Sequence, residues 1–255
     1  MRPNETTRKL RAGQPALGIM VSTVSTLAAE VVANTGFDWV MVDMQHGEPD
    51  LADLTGLLQA ISTTAATPFA RVASNDFMAI GRALDLGAYG IVVPLVNTPA
   101  QAAAAVHAAK YPPLGGRSMG PVRASVYGGD NYFAESNDTV ALFVMIETAE
   151  AVQNVRAIVA TEGVEGCYIG PNDLSISYGA APGGDQGPPL APAVEEAITA
   201  VLVACQGAGK AAGIHVANAG AANRRLKQGF QFVSISNELG LMRAAVVAEL
   251  AAVER

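Results

Sequence analysis

The sequence predicts a closed (β/α)8 barrel, on three observations: 255 residues, eight short apolar runs alternating with longer Ala-rich segments, and ionisable residues gathered where the apolar runs end. Barrels of this class run to about 250 residues as one unit, so a single domain over 1–255 is expected. Alternation of strand and helix signals throughout argues for a parallel sheet.

The first run is ALGIMVS (16–22), with a helical segment at 24–34 behind it. FDWVMVDM (37–44) leads to a helix at 50–64, and PFARV (68–72) to one at 76–87. YGIVVP (89–94) precedes a helix at 98–110, where Asn97, Thr98 and Pro99 supply a cap and an early proline. ALFVMIE (141–147) is followed by Thr148 as a similar start to 149–161. GCYIG (166–170), AAGIHV (211–216) and FQFVSIS (230–236) complete the set, with helices at 192–208, 219–228 and 238–253. Two excursions, 111–138 and 179–190, are expected as loops over an active site. An open doubly wound sheet would carry a Gly-rich turn after the first strand, and MVSTVST stands there instead.

Half of the residues are hydrophobic but only 5% are aromatic, so a core of Ala, Val, Ile and Leu is expected. Net charge is −7 with no Lys/Arg block, which excludes a nucleic-acid footprint; an anionic substrate would need a local cationic pocket. The polar start MRPNETTRKLRAGQ lacks the apolar centre of a secretory signal, and no apolar stretch reaches the roughly 18 residues of a membrane span. A cytoplasmic protein with no membrane partner is expected. Cys167 and Cys205 have neither metal-ligand nor CxxC spacing and read as buried small side chains.

In a barrel, catalytic groups project from the C-terminal strand ends. The second run ends in Asp43 and His46, the third in Arg71, the fifth in Glu147, and Asp173 follows the sixth; Asp85 lies near the end of a helix. Glu147 and Asp173, on neighbouring strands, could hold one hard divalent cation, although a carboxylate after a strand is also a common helix cap. Arg71 is open to two readings, an ion pair with Asp43 or Glu147, or a planar fork gripping a carboxylate. His107 lies in an Ala-rich helix and His215 within the seventh strand, which leaves His46 as the general-base candidate and a less favoured ligand. Lys9, Lys110, Lys210 and Lys227 are all poorly placed for a Schiff base, so enolate stabilisation falls to a metal acting as Lewis acid.

Five ordered blocks, FDWVMVDMQH (37–46), ARV with LDLGAYGIVVPLVNT (84–98), KYPPLGGRSMG (110–120), MIETAEAVQN (145–154) and GCYIGPNDLSISYG (166–179), together resemble the HpcH/HpaI aldolases, the metal-dependent pyruvate aldolases of 4-hydroxy-2-oxoheptanedioate and 2-keto-3-deoxy sugar acid type. The resemblance implies a barrel of the phosphoenolpyruvate/pyruvate-domain type and a carbon–carbon lyase that splits 4-hydroxy-2-oxo acids into pyruvate, or hydroxypyruvate, and an aldehyde. It further implies that Glu147 and Asp173 ligate Mg²⁺, Mn²⁺ or Co²⁺, and that pyruvate chelates the ion through its keto and carboxylate oxygens. Arg71 would stabilise the enolate oxygen or carboxylate. His46, in a dyad with Asp85, would handle the 4-hydroxyl proton, and Gly170, Pro171 and Asn172 would border the pyruvate carboxylate. A homohexamer, a trimer of dimers with the final helix packed on a neighbouring subunit, is implied as well. Gln45 departs from the more common DGEH, Met145 from VQVE, and Asn172 stands where alanine is frequent.

Two other functions compete. A CoA-thioester lyase of the citrate lyase beta or malyl-CoA lyase type would also enolise an acyl group at a metal, but needs extra basic contacts for the CoA phosphates. A non-catalytic barrel serving as a binding module would be favoured by loss of a metal carboxylate or of Arg71, and all are present.

Overall fold

The computed structural model describes residues 1–183 and 189–254. Eight parallel strands close into a barrel in sequence order: β1 (Ala16–Val21), β2 (Trp39–Asp43), β3 (Thr67–Arg71), β4 (Gly90–Val93), β5 (Ala141–Ile146), β6 (Gly166–Ile169), β7 (Ala211–Val216) and β8 (Phe232–Asn237). Every predicted apolar run contains one strand, shifted by a few residues at its ends. The segment 184–188 of the predicted 179–190 excursion lies outside the described residues.

Helices α1 (Glu5–Arg11), α2 (Thr26–Ala33), α3 (Leu51–Ser62), α4 (Phe77–Asp85) and α5 (Pro99–Ala109) occupy the first half of the chain. Then come α6 (Val122–Gly128), α7 (Tyr132–Thr139), α8 (Ala149–Val159), α9 (Pro171–Ser177), α10 (Pro192–Gly207), α11 (Ala219–Gln228) and α12 (Glu238–Ala251). The caps follow the chemistry of their residues. Thr98 Oγ1 accepts from Gln101 N at 3.2 Å with Pro99 in the first turn, and Thr148 Oγ1 accepts from Ala151 N at 3.0 Å.

The core has two chemically distinct parts. Between strands and helices it is aliphatic, as the composition leads one to expect, with Leu54, Leu57, Ile61, Ile91, Val144 and Ile198 among its buried members. Inside the barrel it is aromatic: Phe232 stacks on Trp39 at 4.0 Å and on Phe143 at 4.1 Å between ring centroids. Trp39, Phe69, Phe143, Tyr168 and Phe232 gather there because the barrel interior is filled by side chains from converging strands, and small residues must face the large ones. Gly18 and Gly90 do so: a Cβ at either position would fall 2.1 Å from the Trp39 ring or 2.0 Å from the Phe69 ring.

Two features differ from the sequence expectations. The N-terminus forms α1, which caps the lower, N-terminal end of the barrel: Leu10 joins the interior cluster, and Asn4 Nδ2 donates to Tyr89 O and Thr139 O. The excursion at 111–138 is not over the catalytic face. It joins α5 to β5, folds into α6 and α7, and lies at the barrel floor, where Lys110 Nζ donates to Asn137 O at 2.7 Å and Val140 O at 2.6 Å. An αβ connection returns to the start of a strand, so its length adds nothing to the opposite rim.

Candidate active site

Strand parity decides which side chains enter the barrel mouth. Trp39, Met41 and Asp43 share the inner face of β2, and Phe69 and Arg71 that of β3; register pairs Asp43 with Arg71. Arg71 Nε donates to Asp43 Oδ1 at 2.8 Å and Nη2 to Oδ2 at 2.6 Å. Both side chains are buried. Burial alone would raise the Asp43 carboxyl, but the bond and charge of Arg71, with the N–H groups of Gln45 and His46, take it below its ordinary value. Burial likewise opposes the Arg71 charge, and Asp43 outweighs it.

This pair is the ion-pair reading of Arg71. One edge of its guanidinium is committed to Asp43, so the fork does not grip a substrate carboxylate with that edge; the Nη1 side remains. Asp43 also organises the next turn, with Oδ1 accepting from Gln45 N at 3.1 Å and His46 N at 3.3 Å. That turn carries His46, an exposed residue above the strand end.

Glu147 follows β5 and is 1% exposed. Its Oε1 accepts from Leu95 N at 2.7 Å, while Oε2 is buried with no hydrogen-bond partner. Its carboxyl is raised to about 7, chiefly by burial and to a lesser extent by Asp173, with the Leu95 N–H and Arg71 acting in the opposite sense. Asp173 sits exposed in the first turn of α9, a helix whose N-cap, Gly170, makes no side-chain cap bond. Gly170 is needed for close approach, since a Cβ there would lie 2.8 Å from Glu147 Oε2 and 3.2 Å from the Met145 Cε. Met145 therefore forms the floor beneath Glu147 and Gly170.

An orphaned carboxylate oxygen, beside a second carboxylate and under an open cradle, fits a divalent cation. Among the described residues no cluster of three or more His, Cys, Asp or Glu side chains gathers anywhere. Two carboxylates suit a hard ion that keeps water and substrate oxygens in its remaining positions.

Asp85 is not brought to His46 within the chain. It ends α4, at the barrel floor, and accepts from Arg117 Nη2 at 2.8 Å. Arg117 in turn donates to the Tyr132 hydroxyl at 3.0 Å and lies over the Tyr111 ring. His46 stands beyond the opposite end of β2, and within the chain Asp43 is the carboxylate that holds the His46 turn. The lysines are equally remote from the mouth. Lys210 Nζ donates to Val164 O at 2.7 Å, and Lys9 pairs with Asp38 at 2.5 Å, both near strand starts.

A group not singled out from the sequence also enters the mouth. His215 lies on the inner face of β7 with Nδ1 2.8 Å from Ser234 Oγ, and that hydroxyl is 2.5 Å from the Tyr168 hydroxyl. Burial first, then Arg71, pushes the imidazole down to about 4, so it is neutral at physiological pH. The signal was parity: Ala211, Gly213 and His215 share one face. Reading it required the register of β7 against β8, in which His215 pairs with Ser234.

A sequence profile described as HpcH/HpaI aldolase/citrate lyase matches residues 17–245. The chain belongs to this family. It is 40% identical over 233 residues to a hydroxypyruvate/pyruvate aldolase of Rhizorhabdus wittichii, covering 91% of this chain and 92% of that one. It is 38% identical over 236 residues to a 4-hydroxy-2-oxo-heptane-1,7-dioate aldolase of Salmonella arizonae, covering 91% and 88%. The crystal structure of an HpcH/HpaI aldolase/citrate lyase family protein from Burkholderia cenocepacia J2315 superposes with a TM-score of 0.90 at 33% identity, over 97% of this chain and 98% of that one. This HpcH/HpaI aldolase is a class II aldolase, a carbon–carbon lyase, on a (β/α)8 barrel. No helix among its described residues is long and apolar enough to cross a membrane.

Proposed function

We propose that the enzyme reversibly cleaves 4-hydroxy-2-oxo acids into pyruvate, or its hydroxypyruvate analogue, and an aldehyde, using one Mg²⁺, Mn²⁺ or Co²⁺ ion held by Glu147 and Asp173. The observation that carries this reading is the buried, unpartnered Oε2 of Glu147 beside Asp173 in a mouth that also holds Arg71. When bound, the ion supplies Lewis-acid stabilisation of the charge that develops on the keto oxygen. Arg71, clamped by Asp43, directs its remaining N–H groups at the same developing enolate or the adjacent carboxylate. The backbone at Gly170 and Asn172, in the opening turn of α9, borders the carboxylate, with Pro171 fixing the turn.

Cleavage then needs one proton moved. The imidazole of His46 takes it from the 4-hydroxyl as the C3–C4 electron pair passes to C3 and the aldehyde leaves; a proton returned to C3 completes the 2-oxo acid. His46→Ala is expected to slow aldol cleavage by about 10² to 10⁴-fold. Metal-dependent decarboxylation of oxaloacetate, which needs enolate stabilisation but no hydroxyl deprotonation, is expected to survive in the same variant. Equal loss of both activities, or loss of bound metal, would make His46 a ligand or structural residue.

The whole chain acts in this reading as one cytoplasmic catalytic domain, assembled as a homohexamer. The final helix supports the assembly. No residue of α12 is buried, and Leu241, Met242, Val246, Val247 and Leu250 stand 43–61% exposed along it. On the barrel, Leu27 and Val31 of α2 are 69% and 59% exposed. Such an apolar helix leaving its own barrel fits packing on a neighbouring subunit. Light scattering is expected to give a mass near six times the 26.1 kDa chain, and a monomer would contradict the assembly.

A further inference from the structure

Leu95, just beyond β4, adopts φ 55°, the left-handed region that leucine rarely occupies. Its N–H is the group that donates to Glu147 Oε1 at 2.7 Å. The turn around it is tied down. Gln101 Oε1 accepts from Asn97 N at 2.6 Å and Thr98 N at 3.1 Å, the Thr148 hydroxyl donates to Asn97 Oδ1 at 2.6 Å, and Asn154 Nδ2 donates to Asn97 O at 2.9 Å. The β4–α5 turn is thereby joined to the β5–α8 turn that carries Glu147. On the opposite side of the carboxylate, Oε2 has no partner and Gly170 leaves the space beside it open.

We propose that Leu95 is a positioning residue that makes Glu147 a one-oxygen ligand through Oε2, and that this selects a small octahedral cation against calcium. The inference rests on the reading of Glu147 and Asp173 as the cation's ligands. Calcium accommodates high coordination numbers and readily takes both oxygens of one carboxylate, whereas magnesium demands near-octahedral geometry with single-oxygen contacts. A cation astride both oxygens of Glu147 would have to share Oε1 with the Leu95 N–H, whose positive end already points at it. Binding at Oε2 keeps both contacts. The left-handed backbone at Leu95 lets the chain turn towards α5 while its N–H faces Glu147, and strain of this kind collects at sites where geometry is over-determined.

The test is calorimetric titration of the metal-stripped full-length enzyme with Mn²⁺ and with Ca²⁺. The Leu95 side chain is 52% exposed, so changing it leaves the core intact. Leu95→Gly keeps the N–H and accepts positive φ, so its Mn²⁺/Ca²⁺ affinity ratio is expected within about threefold of wild type. Leu95→Val, whose branched Cβ resists that conformation, is expected to lower the ratio by about tenfold or more, chiefly by tighter calcium binding. The α-hydroxy acid analogue of leucine at position 95 replaces the N–H with oxygen while keeping the side chain, and is expected to do the same. That variant decides the matter should Leu95→Val fold poorly. An unchanged ratio in it overturns the inference while leaving the metal site standing. Absence of Mn²⁺ binding in the wild type would overturn the ligand assignment and the inference together.

Discussion

Glu147→Gln is expected to abolish measurable divalent-cation binding and to lower aldol cleavage by about 10³-fold or more, equivalent to roughly 4 kcal/mol of lost transition-state stabilisation. Glutamine keeps the shape of the side chain and can still accept the Leu95 N–H through its carbonyl oxygen. It removes the charge and exchanges the second oxygen for an NH2 group. The same substitution is expected to raise the melting temperature of the metal-free protein, because it deletes a buried carboxylate whose Oε2 is unpartnered and which Asp173 repels. The pH dependence gives a further check. A carboxyl whose folded value is raised to about 7 holds its proton longer than in the unfolded chain, so its contribution to metal-free stability falls as pH climbs from the ordinary carboxylate range towards 7. Glu147→Gln should flatten that fall. Calorimetric melting with and without Mn²⁺ across pH 4 to 8 reads both effects, and a variant less stable than metal-free wild type at pH 7 would show that the carboxylate has an unrecognised partner.

Arg71→Ala is expected to lose on two counts. It leaves Asp43 buried without its cation, a change that typically costs about 3–5 kcal/mol of stability, and it releases the turn that Asp43 holds around His46. It also removes a guanidinium from the barrel mouth, and cleavage should fall by about 10² to 10³-fold even with metal bound. Arg71→Lys restores a charge but not the parallel two-point contact at 2.8 and 2.6 Å with Asp43, so it should recover little of the activity. Stability by urea titration and cleavage kinetics separate the two losses. A lysine variant as active as wild type would show that charge alone is required.

The strands and the three mouth residues Asp43, Arg71 and Glu147 were legible because an ionisable group at the end of an apolar run is conspicuous, and the barrel gives that position a meaning. Which end of the barrel a residue occupies was harder to read. The 111–138 segment was placed over the catalytic face, although an αβ connection belongs at the floor, and within the chain Asp85 ends a helix at the floor as well. His215 looked like one more residue inside a strand, since its inward orientation depends on the β7 and β8 register that pairs it with Ser234. Leu95 gave no sequence signal at all: leucine is an ordinary residue, and only backbone geometry reveals its left-handed conformation and its bond to Glu147. The aromatic interior was hidden by averaging, because 5% aromatic content says nothing about where those rings are concentrated.

The measurement that bears most directly on the proposed chemistry is titration of Mn²⁺ into protein stripped of metal and verified by elemental analysis, with cation binding and aldol cleavage followed on the same sample. One site per chain is expected, with cleavage rising in proportion to its occupancy, and borohydride treatment in the presence of pyruvate should leave all four lysines unmodified. Full cleavage activity in the metal-free protein, or a lysine adduct trapped by borohydride, would contradict the metal-dependent reading.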